Sequence, residues 1–140
     1  MLAEGTFEVE MTPEPPYSAV DGVTLARATV DKRFDGPLAA TSQVHMLAAR
    51  TAVPDSAGYV GLERVTGSLD GKDGSFVLQH SSTMSGGKQQ QNISVVPHSG
   101  TGELSALHGE MTIRIVNGQH HYAFTYDLGE ADSGASARPA

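Results

Sequence analysis

The stretch 58–84, GYVGLERVTGSLDGKDGSFVLQHSSTM, constrains the chain most, because it holds two runs of period-two alternation joined by a short polar, glycine-flanked segment. Successive strand side chains point to opposite faces, so each run sorts into two sets. Tyr59, Gly61, Glu63, Val65, Gly67 and Leu69 form one set of the first run, and Phe76, Leu78, His80, Ser82 and Met84 the matching set of the second. Gly71-Lys72-Asp73-Gly74 reads as the loop, with Asp-Gly as a hairpin signal. A turn centred on Lys72 and Asp73 sets Leu69 opposite Phe76, Gly67 opposite Leu78 and Val65 opposite His80, and brings both apolar sets to one face.

That register makes Glu63 and His80 diagonal neighbours, with backbone positions about 7–8 Å apart, a gap that their side chains can close. Two readings of the pair stand side by side. It is a structural ion pair, or it is an acid/base pair in which burial raises the carboxyl pKa and a neighbouring imidazolium lowers it. On the same face Tyr59, Val65, Phe76 and Leu78 are the expected ligand-lining residues.

The rest of the chain repeats the strand pattern. Residues 6–11 alternate Phe7, Val9 and Met11 with polar neighbours, and 23–34 and 38–49 are long alternating runs separated by Asp35-Gly36-Pro37. The three prolines of 12–22 predict a surface connection. Residues 90–96, 110–116 and 120–128 complete the strands, the last two joined by Asn117-Gly118, a strong two-residue hairpin signal. About eight strands and no convincing helix predict an all-β fold, an antiparallel closed β-barrel, since closure removes exposed edges. One domain spans 1–128, and 129–140, rich in Gly, Ser and Ala, is expected to be a disordered tail.

Composition narrows the function classes. The net charge of −7 opposes a nucleic-acid or anionic-membrane partner, and the absence of Trp removes a base-stacking platform. With no cysteine there is no disulfide, thiolate metal site or cysteine nucleophile, and the six histidines fall in no metal-ligand spacing, so no metal and no cofactor are expected. No window has the apolar length of a membrane span, and the opening MLAE lacks a basic segment, which predicts a cytoplasmic protein. Gly-x-Ser-x-Gly is absent, and Gly100-x-Gly102 lacks the third glycine of a dinucleotide fingerprint.

Taken jointly, the blocks GTFEVEMTPEPPY, DKRFDGPLAATS, the 58–84 hairpin, VVPHSGTGEL and HHYAFTYDL, in this order over 5–128, resemble the bacterial domain-of-unknown-function family 3224. Ser82 and Ser105-Ala106 depart from the family pattern only at turns. The resemblance implies an allene oxide cyclase-like barrel of calycin type and carries no catalytic residues. Two functions follow as expectations: a barrel binding a small, largely apolar molecule in its lumen, or an isomerase or cyclase using Glu63 and His80 there. A homo-oligomer is expected from related barrels and from Val60 and Leu62 on the outer face.

Overall fold

The computed structural model describes residues 1–129, and the expectation for 130–140 lies outside them. Nine strands form one antiparallel sheet: β1 (Leu2–Pro13), β2 (Ser18–Val20), β3 (Val23–Asp35), β4 (Leu38–Arg50), β5 (Ala57–Leu69), β6 (Lys72–Ser85), β7 (Lys88–Val95), β8 (His108–Val116) and β9 (Gln119–Asp127). The first half of β1 pairs with β9 and its second half with β3, so eight strands close into a barrel. The ninth, β2, continues along the edge of β3 that β1 leaves.

Two expectations need correction here. The proline segment is not wholly a connection, since Pro13 still pairs with Ala28 in β1 and Ser18–Val20 form β2. Proline is tolerated there because these positions lie on a strand end, where a missing N–H costs little. The central hairpin turns at Asp70-Gly71, not at Lys72-Asp73, and the ladder runs from Leu69↔Lys72 through Val65↔Phe76 to Gly61↔His80. Both turn residues take positive φ, 49° at Asp70 and 83° at Gly71, as a two-residue primed turn requires. Two Asp-Gly pairs competed for the turn. Asp70 is held by its N–H to the Pro37 carbonyl (2.8 Å) and by its carboxylate, which accepts from the Tyr126 hydroxyl. Gly74 is needed inside the ladder, where the Thr101 carbonyl occupies the space of a side chain.

The inward residues change size along the barrel. At one end Phe34, Leu38, Leu69, Phe76, Tyr122, Phe124 and Tyr126 meet, and the 3-10 turn Gly102–Leu104 drops Leu104 and Leu107 among them. Phe76 and Phe124 stack with centroids 5.8 Å apart, and Tyr126 stacks on Phe124 at 5.4 Å. Toward the other end small residues, Thr24, Ala26, Ala48, Ala57 and Ser82, stand among Met46, Tyr59 and Met84 and leave open space between the strands. The barrel is therefore a cup, packed below and hollow above.

Tyr122 ties the closed end together: its hydroxyl accepts from the Leu38 N–H (3.0 Å) and donates to the Asp35 carbonyl (3.0 Å), linking β9 to the β3–β4 turn. Tyr122→Phe leaves the buried Leu38 amide without its partner and is expected to cost about 1–3 kcal/mol. Urea unfolding checks this, and a midpoint equal to wild type rejects the linkage.

On the outside Leu47, Val60 and Leu62 are exposed, and β4–β5 pairing sets Leu47 opposite Val60. Among the described residues no helix is long and apolar enough to cross a membrane.

Candidate functional site

The polar site forms where the packed half of the barrel gives way to the hollow half. On β5, Tyr59, Gly61 and Glu63 take successive inward positions, and His80 on β6 lies directly across from Gly61. Gly61 supplies no side chain, its space being taken by Val44 and Met46 of β4, and the imidazole bridges its two neighbours. His80 Nε2 is 2.6 Å from Glu63 Oε1, and Tyr59 Oη is 3.4 Å from His80 Nδ1.

Glu63 is fully buried and completely partnered. Oε1 accepts from His80 and from Lys32 Nζ (3.3 Å), and Oε2 accepts from the Ser42 hydroxyl (2.5 Å). Burial alone raises the carboxyl pKa. The His80 hydrogen bond, the charges of Lys32 and His80 and the Ser42 hydrogen bond outweigh it and hold Glu63 below the ordinary carboxylate value, hence ionised. For Tyr59, burial and then the charge of Glu63 raise the phenol pKa, so it is a hydrogen-bond donor at neutral pH. With Nε2–H donated to the carboxylate, Nδ1 and the Tyr59 hydroxyl are left as partners for each other. The result is a hydrogen-bonded chain from Tyr59 through His80 to Glu63. It can hold a proton donor at the cavity wall, backed by a charge sealed behind it.

Lys32 and Ser42 were not singled out from the sequence. Their signal is a polar residue inside an inward apolar set: Lys32 between Val30 and Phe34, Ser42 between Ala40 and Val44. The lysine side chain is 6% exposed, with Nζ 4.9 Å from the Phe7 ring centroid and 5.8 Å from that of Phe34. Aromatic faces thus share in stabilising its charge.

Above the network lies a cavity of about 480 Å³ bounded by Val9, Met11, Val30, Val44 and Ile113, with Lys32, Tyr59 and His80 at its base. A second lobe of about 460 Å³ reaches Thr24, Ala48 and Arg50, and the two share Met46, Tyr59 and Gln89. Of the expected ligand-lining residues only Tyr59 borders these lobes. Val65, Phe76 and Leu78 lie in the packed half, each at most 1% exposed, because the larger inward residues fill that end. Glu63 and His80 come together as expected, through the other diagonal of the register.

Residues 3–126 match the sequence profile of the family described as "Protein of unknown function (DUF3224)". The chain belongs to the DUF3224 family. A solved structure of a DUF3224 protein of unknown function from Shewanella oneidensis MR-1 is 50% identical and superposes with a TM-score of 0.87, over 91% of this chain and 96% of that one. No curated protein matches the chain. The DUF3224 barrel, closed by eight strands with β2 as an extra one, is the antiparallel closed β-barrel that the strand pattern predicts.

Proposed function

We propose that this DUF3224 protein binds a small, largely apolar molecule in the open half of its barrel. The observation that carries the reading is the cavity of about 480 Å³, walled by aliphatic residues such as Val9, Val30, Val44 and Ile113, on which Lys32, Tyr59 and His80 converge, with Gln89, Gln91, Arg114 and His120 also in its lining. Pockets that hold small ligands combine these features at this size. The uncharged fluorophore N-phenylnaphthylamine tests it. Saturable fluorescence enhancement at one probe per chain is expected, and Met46→Trp, which fills the point shared by both lobes, should abolish it. No saturable binding, or binding indifferent to Met46→Trp, rejects the reading.

A second reading, an isomerase or cyclase with Glu63 and His80 as acid/base groups, is favoured by the Tyr59–His80–Glu63 chain. There the phenol meets the ligand while the imidazole and carboxylate manage its proton. Molecules extracted from wild-type and His80→Gln protein decide it: a different chromatographic retention supports turnover, and identical extracts reject it.

A further inference from the structure

We infer that the lumen selects apolar molecules carrying an anionic group, a carboxylate or sulfonate type of head. This rests on the binding reading above and adds the chemical class of the ligand. The chain carries 16 Asp and Glu against 9 Lys and Arg, yet neither lobe of the cavity is lined by a carboxylate. Along the barrel strands one acid takes an inward position, Glu63, and it is 0% exposed. Its two oxygens are already occupied by His80, Lys32 and Ser42, so it offers nothing to a ligand.

What faces the hollow is donor capacity and positive charge. Lys32 has three N–H bonds and a single hydrogen-bond partner, Glu63, while its ammonium borders the cavity. Arg50, exposed at the mouth of the barrel where β4 ends, lines the second lobe and makes no ion pair among the described residues, and Arg114 lines the first lobe. Asp55 shares a separate depression with Arg50 along the β4–β5 connection, again without an ion pair. With Glu63 cancelled by Lys32, the lining keeps a formal surplus of positive charge inside a chain of net charge −7. An acidic exterior with a cationic lumen favours an anion only where the apolar part of the molecule also fits, and repels anions elsewhere.

The test compares two probes that share one ring system, the uncharged N-phenylnaphthylamine and the anionic anilinonaphthalene sulfonate, on the full chain. The sulfonate is expected to bind more tightly, with an affinity that falls as salt rises. Arg50→Ala should reduce the preference for sulfonate over neutral probe by roughly two- to fivefold, the range of one partly exposed charge pair. Arg50→Lys should restore it. Equal affinities for the two probes, or a preference unchanged in Arg50→Ala, overturn the anion inference while the apolar-cavity reading stands. If neither probe binds saturably, both fall. Circular dichroism of each variant confirms that the barrel is folded, and Met46→Trp confirms that the signal comes from the lumen.

Discussion

Glu63→Gln is expected to lower the stability of the barrel by about 3–5 kcal/mol, because it leaves Lys32 charged and buried with no counter-charge. In a domain of this size that corresponds to a fall in melting temperature of roughly 10–20 °C. The paired variant Lys32→Met with Glu63→Gln removes both charges and should recover most of the loss, since replacing a whole buried pair costs far less than halving it. A single-variant loss under about 1 kcal/mol would mean that the network adds no stability. The same carboxylate sets an acid limit. Its folded pKa lies below the ordinary 4.5, so its contribution is complete above that value and is lost as pH falls through the folded pKa. Urea midpoints followed from about pH 6 to pH 3 should therefore drop more steeply in wild type than in Glu63→Gln.

Phe124→Ala is expected to cost about 3–5 kcal/mol, against about 1 kcal/mol for Met46→Ala at the hollow end. Phe124 is 0% exposed and packs between Phe76 and Tyr126, so truncation opens a void that rigid strands cannot close. Met46 borders space that is already empty. The difference between the two variants measures how unevenly the lumen is filled. Equal losses would mean a lumen packed alike at both ends. Burial and the hydrogen bond to Asp70 also push the Tyr126 phenol up to about 12, so this end keeps its neutral Tyr126 throughout the working pH range.

Much of this was legible in the sequence because a strand exposes its face assignment through parity alone. Even the misplaced turn left the site intact. Moving it from Lys72-Asp73 to Asp70-Gly71 slides His80 from Val65 to Gly61, four residues along β5, and an even slide keeps every side chain on its face. Glu63 is diagonal to His80 in both registers, so the pair survived the error. The filling of the lumen was not legible in the same way. Which inward residues meet depends on where strands stand around the ring: Val65, Phe76 and Leu78 belong to the closed end, where large inward residues of other strands meet them and Leu104 and Leu107 descend from a segment with no alternation to read. Lys32 was hidden for a related reason. A lysine in an alternating run reads as solvent-facing until β3 and β5 are known to flank β4 and to send Lys32 and Glu63 to the same interior face.

The junction between β7 and β8 is narrow, with ladder pairing only at Ile93↔Met111 and Ser94↔Glu110. Beyond it the strands part, and the Gln91 side chain accepts the Ile113 N–H (2.9 Å) that a neighbouring backbone would otherwise take. A ring of strands has no ends, but this one has a slit, and each lip of a slit is a template for a foreign strand. The lip on β7 reads Lys88, Gln89, Gln90, Gln91, Asn92, a charged and amide-rich run with no aliphatic residue to reward docking. Lysine and polar side chains along an open lip are how sheet proteins discourage recruitment into fibrils. The gap beside the cavity thereby keeps a β7 lip that offers a foreign strand nothing apolar to dock on.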